Sequence, residues 1–376
     1  MMPRSAPSDA PAALLRLEAY LERTGFRGYD PYDALASPPL GAIGVRSRRV
    51  GQLITQANRL SPVNLRPLLG VPRSRNAKAA ALFALAVRAR FDATGEQRYE
   101  TRARALLAEL SATAAPGGGW GYTFPWANRS FFAPAGTPNA VVTSFVLQAF
   151  AAWPSPEPEP AVEMALTFLG ERLRWSSDHL GVWVSYTPGD DRRVYNVNAL
   201  VGVALVRSGE PALAERGAAL VNRVVAGQRS DGSWPYGTAP GDAWVDGFHT
   251  GFVLRSLRSA NGERYGDAIR LGVGYYRQRL LDRDGAARAS PARRYPVDAH
   301  AWAEALLVAE AFQLPESTRI AAWGIRHLLR RDGHITYQKG RLFTNVVSYH
   351  RWANAWSYLA LARHVHATAP EPASHS

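Results

Sequence analysis

The sequence predicts an all-α protein, an (α/α)6 toroid in which six inner helices alternate with six antiparallel outer helices. Three observations predict it. One helical segment design recurs six times at intervals of roughly 48 to 63 residues. Amphipathic stretches with a single apolar stripe lie between these segments. Glycine turns, usually followed by aromatics, come after the stripes.

The first 44 residues read as an N-terminal helix and a wrapping segment. The amphipathic stretch 12–23 is interrupted by Arg16, Glu18 and Glu22 and lacks the unbroken apolar run of a secretory leader. The toroid domain is expected over residues 45–367. Its inner helices are expected to begin at Asn76, Asn139, Asn198, Asp246, Asp298 and His350; most of these are capping residues that lead into small and apolar residues on nearly every face. Outer helices are expected over 99–110, 161–173, 213–224, 265–281 and 317–329, each with one apolar stripe. The turns are Gly119-Trp120-Gly121-Tyr122, residues 181–186, residues 231–236, Asp284-Gly285 and residues 332–337. Strand signals are nearly absent. The proline-rich stretch 153–160 reads as a rigid connection within the repeat, because the repeat continues on both sides, and residues 368–376 as a disordered tail.

The chain of 376 residues, 47% of them hydrophobic, can fill the core of such a ring. It has no cysteine, which excludes disulfides, thiolate metal sites and cysteine nucleophiles. Its net charge of +13 suggests acidic partners, but all except two of the 44 basic residues are scattered arginines, with no nucleic-acid module among them. No phosphate-binding glycine loop and no Gly-x-Ser-x-Gly elbow is present. No segment is long and apolar enough to span a bilayer, so a soluble, cytoplasmic protein is expected.

The turn aromatics and the polar helix starts converge on one mouth of the ring, where a ligand is expected. Trp120, Tyr122, Trp126, Arg129, Asn139, Asn198, Trp234, Tyr236, Tyr349 and Arg351 are the candidate substrate-binding residues. The blander alternative makes the aromatics inter-repeat packing and the asparagines helix caps. Asp246 and His249, with Asp298 and His300, are the candidate catalytic residues: each Asp is followed by a histidine three or two positions on, and the pairs fall on adjacent inner helices. The spacing of His249, His300 and His350 invites a metal reading. No His-x-x-x-His pair supports it, and neither a metal nor a cofactor is expected. Two mechanisms remain open. Asp246 and Asp298 could act as the carboxylate pair of a glycoside hydrolase. Alternatively, an arginine, Arg129 or Arg351, could hold a uronate carboxylate while His249, His300 or Tyr349 moves the C5 proton in lyase or epimerase action. Arg294 belongs to the same basic mouth.

The chain resembles bacterial exopolysaccharide-cluster proteins of the VpsJ type, in the six-hairpin toroid class. The resemblance rests on residues 62–70 (PVNLRPLLG), 119–126 (GWGYTFPW), 137–145 (TPNAVVTSF), 246–252 (DGFHTGF), 295–298 (YPVD) and 351–356 (RWANAW). It implies polysaccharide biosynthesis or modification with a glycan as partner, and the basic mouth favours an acidic glycan. Residues 228–234 (QRSDGSW) also resemble the Gln-Trp repeat of terpene cyclases, although the Asp-x-Asp-Asp motif of squalene-type cyclases is missing. Isoprenoid cyclisation and a non-catalytic glycan-binding toroid are the alternatives.

Overall fold

The computed structural model describes residues 10–127, 132–155 and 159–369. From the N-terminus, α1 (Ala10–Arg23) is followed by two short helices, α2 (Pro38–Gly44) and α3 (Arg48–Leu60). Then the alternation starts: α4 (Ala77–Thr94) and α5 (Gln97–Ala112), α6 (Ala140–Ala152) and α7 (Pro160–Thr167), α8 (Tyr195–Val206) and α9 (Pro211–Ala226). It continues through α10 (Gly247–Asn261) and α11 (Gly266–Tyr275), α12 (Ala299–Ala311) and α13 (Ser317–His327), to the last inner helix α14 (Trp356–Thr368). Single π turns extend α7 and α11, and another, His350–Ala355, leads into α14.

The inner helices close a ring: α4 packs on α6, α6 on α8, α8 on α10, α10 on α12, α12 on α14, and α14 back on α4. They are buried almost all round; every residue of α12 from Ala299 to Ala309 is buried. Four start as the sequence predicts. Asn76, Asn139, Asp246 and Asp298 cap α4, α6, α10 and α12, each side chain accepting a backbone N–H of the first turn at 2.8–3.1 Å. Such a cap contributes about 1 kcal/mol. α8 departs from the pattern. It begins at Tyr195, so Asn198 sits inside its first turn.

α1 packs against α13 and α14, in the position of the sixth outer helix. Two glycines show the equivalence. At Gly285 a side chain would strike the carbonyl of Arg319 on α13 at 2.5 Å, and at Gly333, one repeat later, it would strike that of Arg16 on α1 at 2.3 Å. Both have φ near +97° (96° and 98°), where only glycine is comfortable. Leu14, Leu17 and Leu21 of α1 join the same core as the rest of the ring, so no break in packing sets this N-terminal helix apart from the toroid.

Short strands occur where none was expected. β1 (Trp126–Ala127) pairs with β2 (Phe132–Ala133), and β3 (Trp175–Asp178) with β4 (Gly181–Val184). β5 (Val297–Asp298), β6 (Thr336–Lys339) and β7 (Thr344–Ser348) form an antiparallel sheet at the start of α12. All lie in the connections between outer and inner helices, at the mouth.

Candidate functional site

The turn tryptophans face the ring's interior. Trp120 and Trp234 are 1% and 2% exposed, and each indole N–H donates, at 2.8 Å, to a carbonyl in the last turns of the preceding outer helix, Leu110 and Val224. Each is an additional donor to a carbonyl of the last helical turns, which the Thr113 and Gly227 backbone N–H groups also reach, at 3.1 and 3.2 Å. Trp183 likewise donates to Asp178 and lies under the Arg223 guanidinium. Trp120 and Trp234, candidates for meeting substrate, are buried in the packing between helices, as is Trp183. Asn139 is a buried cap, and Asn198 ties α8 to β4 by accepting from the Val184 N–H and donating to the Val184 and Val194 carbonyls.

Residues 26–75 lie across the mouth, a placement that sequence reasoning missed. Arg351 is ion-paired through two bonds to buried Asp30, at 2.5 and 2.8 Å, which holds its guanidinium charged despite burial. The Tyr349 hydroxyl accepts from Arg66, itself paired with Asp33. Tyr349 and Arg351 are therefore committed to holding this segment rather than facing solvent. Arg294 is engaged by Asp282 and Asp284, and Arg129 falls outside the described residues. From the segment, Tyr32 packs edge-on against Trp352, and Arg59 donates to the Tyr337 hydroxyl. Tyr122 lies below Arg351, stacked on Phe124 and edge-on to half-buried Trp126.

Two of the candidate catalytic residues form a hydrogen-bonded pair. Asp246 spends one oxygen on the cap and the other on Nδ1 of His249, at 2.8 Å. With its Nδ1 proton donated to Asp246, the imidazole has Nε2 left as acceptor. The His249 ring meets Tyr236 edge-on at 4.7 Å and Trp244 at 5.3 Å; those two aromatics stack on each other, and Trp244 is 43% exposed. Beneath them lies Asn196, whose buried carbonyl oxygen has no partner among the described residues. The pocket joining these groups has a free volume of about 10 Å³. That is room for about one water molecule, so a sugar enters only if Trp244 or another wall of the pocket moves.

The other pair is arranged differently. Asp298 accepts from the His300 backbone, the Trp352 indole and the Gln338 amide, and burial pushes its carboxyl up. His300 is stacked between Phe248 and Trp356, each ring centre 4.5 Å away, and neither of its nitrogens has a partner among the described residues. Burial, with Lys78 and Arg351 nearby, keeps it neutral. One phenyl ring separates the two histidines: Phe248 is 4.0 Å from His249 and 4.5 Å from His300. Below them Lys78 sits among Phe145, Phe252 and Trp356 on the ring axis, its amine pushed well down by burial. His350 turns toward α1, with Nε2 against the Thr24 hydroxyl at 3.0 Å. Among the described residues no group of three ligating side chains is placed to hold a metal.

A cavity of about 1350 Å³ opens at the opposite end, between the C-terminal halves of the inner helices, with Arg255, Arg363 and Phe252 in its wall. The Arg255–Glu304 ion pair, at 2.7 and 2.9 Å, lies between its floor and the aromatic centre.

No family model matches the chain, and no curated protein matches it in sequence. Solved structures with its fold include a D-mannose isomerase, 13% identical over 98% of this chain and 99% of its own, with a TM-score of 0.61. A protein from Actinoplanes is 18% identical over 95% and 100%, with a TM-score of 0.59. Cellobiose 2-epimerase from Bacillus thermoamylovorans is 10% identical over 79% and 90%, also with a TM-score of 0.59. At these identities the likeness is one of architecture, and it agrees with the ring of inner and outer helices: the chain is an all-α, (α/α)6 toroid.

Proposed function

We propose that the chain is a carbohydrate-active enzyme that moves a proton on a sugar, of the epimerase, isomerase or lyase type, with His249 as the base and Asp246 as the residue that orients it. The carrying observation is the Asp246–His249 pair beside the exposed face of Trp244 at the start of α10. Two neighbours in fold, named cellobiose 2-epimerase and D-mannose isomerase, support the same class of chemistry. The VpsJ-type resemblance would set it in polysaccharide biosynthesis.

In this mechanism Nε2 of His249 takes the proton from a carbon next to a carbonyl, and the C–H electron pair moves onto the carbonyl oxygen as an enediolate. Return of the proton to the opposite face gives an epimer, and return to the neighbouring carbon gives an isomer. Either way nothing is consumed. In a uronate the same carbanion would instead expel the β-oxygen. Hydrolysis by Asp246 and Asp298 fits less well, because three hydrogen bonds engage the Asp298 carboxylate. With Arg351 and Arg294 paired internally, neutral reducing sugars rank ahead of acidic ones.

The test is proton exchange. In D2O, reducing sugars and uronate oligosaccharides are followed by NMR for loss of a C–H signal and appearance of an epimer, isomer or unsaturated product. Exchange is expected with the native chain and, in His249→Asn, at a rate lower by roughly 10²–10⁴. Chain shortening without exchange would restore the hydrolase reading, and binding without any reaction would make the toroid a glycan-binding module.

A further inference from the structure

Helix α3 is built inside out. Its buried residues are Gly51, Thr55 and Asn58, and both amide atoms of Asn58 lack a partner among the described residues. Beyond its first turn, where Arg48 and Arg49 are exposed, the large side chains it exposes are apolar, with Leu53 70% and Leu60 60% exposed. The same surface continues across neighbouring elements. α2 packs against α3, the Ser37 hydroxyl donates to the Leu69 carbonyl, and the Asn345 amide of β7 donates to the Ser61 carbonyl at 3.0 Å. Beside these anchors Leu68 is 85% exposed, and at the tip of the β6–β7 hairpin Leu342 and Phe343 are 94% and 64% exposed. Such a set of protruding apolar side chains marks a surface that something covers.

Its charge says what. No Asp or Glu occurs from residue 34 to residue 91, nor between Gln338 and Ser348 at the hairpin, while Arg46, Arg49, Arg73 and Arg341 are exposed. A second copy would set this positive face against itself. An acidic polymer would meet the arginines and leave Leu53, Leu342 and Phe343 in water. An anionic bilayer satisfies both kinds of side chain, because arginines pair with headgroups while leucine and phenylalanine enter the acyl boundary.

We propose that the face formed by α2, α3, residues 61–70 and the tip of the β6–β7 hairpin docks this protein on an anionic lipid surface. Apart from the hairpin tip, the docked elements belong to the segment 26–75 that lies across the mouth, so the bilayer would hold that segment in place.

Sedimentation of the full chain with vesicles tests it. Phosphatidylcholine vesicles containing about one third phosphatidylglycerol should pellet the protein, pure phosphatidylcholine should not, and added salt should release it. Leu53→Ser combined with Phe343→Ser should weaken association by about tenfold, as should Arg49→Gln combined with Arg341→Gln. These side chains stand in solvent, so the melting midpoint should not move, and loss of binding is then not loss of fold. Absence of pelleting with anionic vesicles overturns the proposal. So does pelleting that the variants leave unchanged, or a dimer in sedimentation equilibrium that the Leu53 and Phe343 replacements dissociate.

Discussion

Asp246 and Asp298 occupy the same position in successive repeats and cap successive inner helices, yet their second oxygens go to different partners. Asp246 has a second oxygen to give to His249, whose side chain is 20% exposed. Asp298 gives its second oxygen to Gln338, a residue of the unforeseen strand β6. The capping role was legible from the sequence; the division of labour depended on long-range partners that spacing does not reveal. The histidines divide in the same way. Burial pushes His350 down to about 3, and His300 in the same direction, so both stay neutral in the fold. In the unfolded chain they protonate below about pH 6.5. The unfolded state therefore binds more protons between about pH 3 and 6.5, so the stability that depends on their neutrality is complete above that window and is lost as the pH falls through it. Lowering the pH from 7 to 5 should cost roughly 2 kcal/mol through His350 alone. Urea midpoints at the two pH values measure this, and His350→Gln should flatten the dependence. A pH dependence that His350→Gln leaves unchanged would show that His350 protonates without penalty.

At the scale of elements, the inner helices were readable because their signal is local: a capping side chain followed by an apolar run. The outer stripes were readable for the same reason. What escaped was everything at the mouth. β3–β4 and β6–β7 are too short for alternation to stand out, and the glycine and aromatic turns admitted two readings that only burial separates. Trp120 and Trp234 decide in favour of packing, since each donates ten residues back to the outer helix it follows. Trp234→Phe should therefore lower stability by about 1 kcal/mol, the loss of one buried hydrogen bond to a carbonyl that the Gly227 N–H still reaches. Sugar binding should hold, whereas Trp244→Ala should weaken binding with little change in stability. Denaturant midpoints and titration with the active sugar measure the two effects. The result that sinks this assignment is a Trp234→Phe chain that melts normally and no longer binds.

The whole molecule depends on a helix that the repeat pattern alone places outside the ring. α1 lies where a sixth outer helix belongs, and its buried Glu18 joins both ends of the chain. The Glu18 carboxylate accepts from Arg90 of α4 at 3.0 Å, from the Tyr99 hydroxyl of α5 at 2.9 Å and from the Tyr358 hydroxyl of α14 at 3.1 Å. The first hairpin and the last inner helix therefore meet on one side chain. Glu18→Ala would leave the Arg90 guanidinium buried and uncompensated, at a cost of roughly 3–5 kcal/mol. What matters is how that loss is distributed. If α1 closes the ring, the inner helices share one core with it and the penalty falls on the whole molecule. Tryptophan fluorescence and far-ultraviolet circular dichroism should then follow a single transition, moved together to lower urea. If α1 were only laid against a ring complete without it, the variant would free α1 alone, a small early loss of helix would precede an unmoved main transition, and the sixth outer position would be empty.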